Sequence, residues 1–194
     1  MRLRIIEIIS VSLALSACSV SPKSNIYLLK AIEPVQAKLV AQKPISIYLQ
    51  SVNFPDYLDR PQMVLRKDAV TLDIEQFQRW GEPLNISFER VFRENLEMRL
   101  VPAKVLSKKT FSAMVFDYQL AINVSRFDTN AQQQAIFQLN WTILNGLGDK
   151  ILFSSQEVIT VPINTDSFQA RVEAQSEAVA ILADKVVVQL RGIE

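Results

Sequence analysis

Between Phe116 and Ile163 the chain alternates apolar and polar residues through three successive segments, and then the period changes. Phe116, Tyr118, Leu120, Ile122 and Val124 share one side of the first segment. Ala135, Phe137, Leu139, Trp141 and Ile143 share one side of the second, and Ile151, Phe153, Ile159 and Val161 one side of the third. A period of two marks strands with one dry face. Asp128-Thr129-Asn130 and Asn145-Gly146-Leu147-Gly148-Asp149 carry turn residues between them, which predicts an antiparallel meander. From Ser167 to about Arg191 the spacing becomes four and three, through Phe168, Val172, Gln175, Val179, Leu182, Val186 and Leu190. That is an amphipathic helix, with Asp166 as its N-cap and Gly192 as its stop. A dry sheet face needs a cover, so the helix is expected to pack on it; a coiled-coil seam is the alternative. The opposite strand face, rich in Gln, Asn, Ser and Thr, carries almost no charge and suits water or a protein partner.

Upstream, Ile26 to Leu29 reads as a first strand, and Ile45, Ile47 and Leu49 begin a second after Pro44. Met63–Lys67 and Val70–Ile74 form a hairpin across Asp68-Ala69. Pro83 takes the first position of a helix whose apolar stripe is Leu84, Phe88, Val91, Phe92, Asn95, Leu96 and Leu100, with Pro102 ending it. The fold class that follows is α+β: a single two-layer domain, its sheet antiparallel or mixed, with two main amphipathic helices on one face. The expected division is a signal peptide at 1–17, a lipidated N-terminus and tether at 18–25, and the domain at 26–194.

Composition narrows the chemistry. The chain of 194 residues has no histidine, one cysteine and four glycines. Histidine-dependent catalysis and histidine-containing zinc sites are therefore ruled out, as are intramolecular disulfides. No GxGxxG or Walker pattern occurs. Lys and Arg number 21 against 20 Asp and Glu, and so balanced a charge does not favour nucleic acid as a partner. The sequence thus points to a protein that is not an enzyme and has no catalytic residues, metal or dissociable cofactor. The best remaining acid pair, Asp56 and Asp59, would support at most a carboxylate-dependent hydrolase.

The N-terminus carries an export signal. Arg2 and Arg4 precede a mostly apolar run from Ile5 to Leu15, interrupted by Glu7. The run is shorter than the ~20 residues a spanning helix needs. Leu15-Ser16-Ala17-Cys18 resembles the bacterial lipobox, in which the cysteine thiol takes a diacylglycerol and the new N-terminus an acyl chain such as palmitate. The only cysteine of the chain stands at this position. By that resemblance the protein is a lipoprotein, and Ser19 after Cys18, rather than Asp, implies the outer membrane facing the periplasm. Loss of Arg2, Arg4 and Glu7 with the signal would leave the mature chain formally neutral.

Phe54 to Val64 (FPDYLDRPQMV) is the most distinctive internal stretch. Pro55 and Pro61 bracket a stiff loop in which Asp56 or Asp59 could pair with Arg60 or Arg66. It reads either as a rigid contact loop or as a structural turn. Trp80, in Arg79-Trp80-Gly81-Glu82-Pro83-Leu84, reads either as a partner anchor or as a wedge beside the helix start. Trp141 reads as core. Arg90 and Asn95 are placed to hydrogen-bond back to the loop before their helix.

YLDRPQMV (Tyr57 to Val64), RWGEPL (Arg79 to Leu84), and Arg90-Val91-Phe92 with Asn95-Leu96, in that order, resemble the PqiC family of ABC-type transport auxiliary lipoproteins. Cys18 and Tyr27-Leu28-Leu29 fit the same pattern. Gly81 and Phe54 depart from it, where the family more often has Ala and an aliphatic residue. The resemblance implies a lipid-anchored outer-membrane subunit working with a PqiB-like MCE-domain protein and, through it, a PqiA-like inner-membrane protein. It also implies a homo-oligomer that supports lipid transport and membrane integrity. Tyr57, Asp59, Arg60, Pro61, Arg79, Trp80 and Glu82 become the candidate partner-binding or structural loop residues. A stand-alone periplasmic lipid carrier, holding an acyl chain between sheet and C-terminal helix, is the alternative.

Overall fold

The computed structural model describes residues 22–34, 39–50, 52–107 and 115–193. The export signal, Cys18 and the first residues of the tether lie outside the described residues. Eight strands and two helices follow in the order β1 (Asn25–Tyr27), β2 (Leu39–Leu49), β3 (Gln62–Arg66), β4 (Leu72–Trp80), α1 (Leu84–Arg99), β5 (Leu100–Leu106), β6 (Tyr118–Asn130), β7 (Gln134–Asn145), β8 (Ile151–Pro162) and α2 (Phe168–Ile193).

The long C-terminal strands form the expected meander, β6 to β7 and β7 to β8, antiparallel along most of their lengths. Their dry faces are as the alternation requires, with Phe137, Leu139, Trp141 and Ile143 buried. Ile151 is the exception: a register shift between Ile143 and Leu144 sets it opposite Leu144, off the face of Phe153, and it is exposed. The rest of the sheet is mixed. β1 runs parallel to β4, and β2 runs parallel to both β5 and β6. β3 pairs antiparallel with β4 and parallel with β6. Helix α1 connects β4 to β5, which lies beyond β3, β6 and β2 in the sheet.

Strand β6 organises the sheet. Its other edge takes β2 at Tyr118–Leu120, then Asn53, whose N–H donates to Ile122 O (3.2 Å) and whose carbonyl accepts from Val124 N (2.9 Å). The same edge takes β3 at Thr129 and Asn130. Between Asn53 and β3 the chain leaves the sheet, and that excursion is the Phe54–Pro61 loop.

Both helices cover the dry face, and their stripes are those the 3.6 period assigns. Leu84, Phe88, Val91, Phe92, Asn95 and Leu96 are all buried. Phe88 sits among Phe54, Phe92, Phe127 and Phe137, with ring centroids 5.4–6.1 Å from it. Helix α2 lies on the sheet, with Ala178, Val179, Leu182, Ala183 and Val186 filling the space beneath it.

Several boundaries differ from the sequence expectation. Helix α1 ends at Arg99, before Pro102. Leu100 continues directly into β5, with Pro102 inside that strand. Pro83 is the N-cap of α1 rather than its first residue. β4 extends to Trp80, well past Ile74, and β2 begins before Pro44. Asp128 and Thr129 are buried strand residues rather than turn residues; the turn falls at Ala131–Gln133, where Gln133 has φ 54°. For α2 the capping oxygen is that of Ser167, which accepts from Ala170 N at 3.1 Å, while Asp166 pairs with Arg171 at 2.6 Å. Gly192 lies inside the helix.

Candidate functional site

The loop Phe54–Pro61, the end of β4 and the start of α1 meet at one corner of the sheet. A 3-10 turn at Asp56–Leu58 folds the loop back, with Leu58 buried under it. Pro61 O then accepts from Trp80 N at 2.8 Å, and Tyr27 O accepts from Gly81 N at 2.8 Å. β1, the loop and the end of β4 are thereby fastened together. Arg90, the seventh residue of α1, donates to Glu82 Oε1 from Nη2 (2.7 Å) and Nε (3.2 Å), and to Leu29 O (3.3 Å). Its hydrogen bond with Glu82 holds that carboxyl below its ordinary range, against the smaller opposing effect of burial. The same bond raises the Arg90 guanidinium.

Arg90 therefore ties α1 back to the RWGEPL loop, as expected. Asn95 does not. Its Oδ1 accepts from Ile32 N at 3.0 Å and from Arg99 Nη1 at 3.0 Å, because the segment after β1 crosses this part of the helix. Arg99, buried, continues the link through Ile32 O (2.9 Å) to Asp184 of α2 (2.7 Å). The helical period places this arginine on the stripe itself, four residues after Asn95 and seven after Phe92; its charge is what kept it from being read as part of the seam.

Asp56 and Asp59 pair with neither Arg60 nor Arg66 and lie exposed on the loop. Arg66 turns instead to Asp128, with Nε 2.9 Å from Oδ2, and Arg126 Nε lies 2.8 Å from Oδ1. The Tyr57 hydroxyl donates to Asp128 Oδ2 at 3.3 Å, and the Arg66 guanidinium stands 5.7 Å from the Tyr57 ring centre. Burial, and then the Asp128 charge, raise the Tyr57 phenol above its ordinary value. Asp128 itself is fully buried. The sequence signal for it was hidden, because Asp-Thr-Asn reads as a turn.

The surface of this corner is concave. Asp59, Arg60, Pro61, Trp80, Gly81, Glu82, Pro83 and Leu84 line a hollow of about 300 Å³. A second hollow, of about 200 Å³, adjoins it, sharing Asp59 and Leu84 and adding Phe54, Asp56 and Asn85. Trp80 is only 8% exposed, so it is a wedge against the core that presents one edge to the hollow, not a projecting anchor. The Nε of Arg60 is buried without a hydrogen-bond partner among the described residues. Tyr57 stands behind the loop, and Arg79 is exposed beside it. Six of the seven candidate residues thus belong to one continuous corner, while Tyr57 reaches through it to Asp128. Among the described residues there is no cluster of three or more acidic, cysteine or histidine side chains. Nor is any helix there long and apolar enough to cross a membrane.

The sequence matches the ABC-type transport auxiliary lipoprotein component family over residues 27–187. The chain belongs to this family. The matched span contains the whole auxiliary-lipoprotein corner and excludes the lipobox, so membership rests on the folded body. The fold of this auxiliary lipoprotein recurs in a crystal structure of an uncharacterized protein, with TM-score 0.73, 15% identity, and coverage of 87% of this chain and 99% of that one. It recurs also in protein XCC0632 of Xanthomonas campestris, of the DUF330 family, with TM-score 0.68, 20% identity, and coverage of 87% and 96%. No curated protein matches by sequence. The family makes the chain a membrane-anchored envelope lipoprotein that works alongside a transporter.

Proposed function

We propose that this lipoprotein is a non-catalytic outer-membrane subunit, anchored through acylated Cys18, that docks an MCE-type envelope-spanning lipid transport complex. Its direct partner is a PqiB-like MCE-domain protein, and through it a PqiA-like inner-membrane protein; the subunit acts as a homo-oligomer. The observation that carries the docking role is the preformed corner. Its backbone is cross-linked by hydrogen bonds from β1, β4, the loop and α1, and it presents the half-buried Arg60 guanidinium, whose buried Nε is an unused donor. A site already ordered loses little entropy on binding, and Arg and Trp at such positions dominate interface energetics. The carrier alternative has less support. Beneath α2 the space is filled by side chains. The hollow of about 460 Å³ at its edge, between Trp141 and Glu157 of the sheet and Ile181, Asp184 and Lys185 of α2, is crossed by the Lys185–Glu157 ion pair at 3.1 Å, a charged lining that suits an acyl chain poorly.

Affinity purification of the acylated protein from detergent-solubilised envelopes tests the proposal. An MCE-domain protein should be recovered with it. Arg60→Glu should lower that recovery at least about tenfold, a hot-spot loss of about 1.4 kcal/mol, without changing the unfolding midpoint. Undiminished recovery with folded Arg60→Glu, or no MCE protein with the wild type, would refute it.

A further inference from the structure

We infer that the face carrying Ile26 and Leu28 seats directly on the bilayer that holds the anchor, so that the domain is oriented on the membrane rather than swinging from its tether. The inference rests on the lipid anchor at Cys18. Exposure supplies the first observation. Within β1, Tyr27 packs against the core and Ile26 faces the other way. Just past the strand Leu29 is buried, which leaves Ile26 and Leu28 outside the core. Both are large and aliphatic, and they are 70% and 53% exposed.

The two form one patch. A β-carbon built on Gly81 would lie 3.0 Å from Ile26 Cγ2 and 3.0 Å from Leu28 Cδ2, so both side chains lie over the glycine. The hollow beside Leu28, of about 600 Å³, bounds the patch on the side of α1, where Lys30, Glu82, Arg90 and Glu94 line it. Arg79, the register partner of Ile26, flanks the patch, and Lys23 precedes β1 by two residues; both are exposed and without an ion-pair partner among the described residues. Aliphatic side chains bordered by cations match the boundary between acyl chains and anionic headgroups.

Chain length selects the occupant. Ile26 is eight residues from Cys18, and a fully extended chain spans at most about 3.6 Å per residue, so the patch stays within about 29 Å of the lipidated residue. The opposite edge strand, β8, is five strand spacings further, about 24 Å. The tether therefore holds the domain by the edge bearing this patch. The patch also adjoins the docking corner at Gly81, so seating it would fix that corner at a set height above the membrane.

Site-directed spin labelling of the acylated full-length protein in vesicles of phosphatidylethanolamine and phosphatidylglycerol tests this. The chain's single cysteine is consumed by acylation, so Ile26→Cys, Leu28→Cys and Val158→Cys each offer one free thiol. Val158, on β8 and 59% exposed, is the control. Labels at 26 and 28 should collide more with oxygen than with a water-soluble nickel complex, and the label at 158 should show the reverse order. If the protein carries its acyl chains and floats with the vesicles, yet labels at 26 and 28 behave like that at 158, the seating is wrong and the anchor stands. If mass spectrometry finds no acyl chains, the anchor reading fails and the inference fails with it.

Discussion

At the scale of single residues, the distinction that matters is between a carboxylate that is exposed and one that is enclosed. Asp128 is enclosed, and it neutralises Arg66 and Arg126 while accepting from Tyr57. Removing one member of a buried ion-pair group costs about 3–5 kcal/mol, since charges are left without a counterpart. Both arginines keep some contact with water, which puts Asp128→Asn at the lower end, about 3 kcal/mol. For a chain of this length that is a fall in unfolding midpoint of roughly 6–12 °C. Asp59→Asn, on the exposed loop, should change stability by less than about 0.5 kcal/mol. Thermal unfolding of the two variants side by side reads the contrast. Glu82 offers a pH test. Its folded pKa lies below the ordinary 4.5, so the stabilisation is fully present above that value and disappears as pH falls through the folded one. The pair is partly exposed, at 27% and 40% for its side chains, so solvent screening limits Arg90→Met to a loss below about 1 kcal/mol at neutral pH. In urea titrations the gap between wild type and variant should close in acid; a gap that widens there would contradict the assignment.

At the scale of elements, what could be read from the sequence was what a strand or helix does with its own neighbours. The alternation in Gln134 to Ile143 and the stripe in Leu84 to Leu96 identify their buried faces because burial selects side chains at the element's own period. Pairing partners were less legible. Nothing in Leu100–Leu106 distinguishes a parallel strand from a helix end, since Leu100 satisfies both patterns and Pro102 reads as a terminator. The bond from Asn95 to Ile32 and the pairing of Arg66 with Asp128 join residues more than 60 positions apart, and no local period encodes them. The corner itself was legible only as three separate motifs, whose convergence depends on the β6 edge. β5 also shows how an edge strand is closed. Val105 N donates to Glu97 Oε1 at 3.0 Å, and Arg93 Nε donates to Val105 O at 3.0 Å, so two side chains one helical turn apart occupy both outward groups of one residue. Capping of this kind removes a template for unwanted strand addition. Glu97→Ala should cost about 1 kcal/mol, speed hydrogen exchange at the Val105 amide and increase self-association at high concentration. An unchanged exchange rate at Val105 would mean the cap is not maintained in solution.

At the scale of the whole molecule, the sheet is asymmetric about β6, with the meander on one side and the motif-bearing strands on the other. Core packing of α2 depends on the meander, whereas the docking corner is built by β1, the Phe54–Pro61 loop, β4 and the start of α1. The corner is therefore built without the meander that seats α2. This separation makes Cys18→Ser informative. Without the thiol no thioether forms, so the protein should persist as an unacylated precursor that retains its leader, a product read directly by mass spectrometry. Cys18 precedes the family-matched span of residues 27–187, and the buried core residues from Leu29 onward are unchanged, so the unfolding midpoint of the domain should stay within the ordinary range of surface substitutions, about 0.5 kcal/mol. The corner is untouched, and binding to the transport partner in detergent solution should survive. What should disappear is placement: on the proposed acylation, several acyl chains at about 0.8 kcal/mol per buried methylene would hold the wild type on its membrane, and the variant would lose all of it. Outer-membrane fractions should then lack the protein, and membrane integrity should fail as in a deletion strain. A Cys18→Ser protein that still sediments with the outer membrane and restores integrity would show that the folded body, not the lipid, determines where this subunit works.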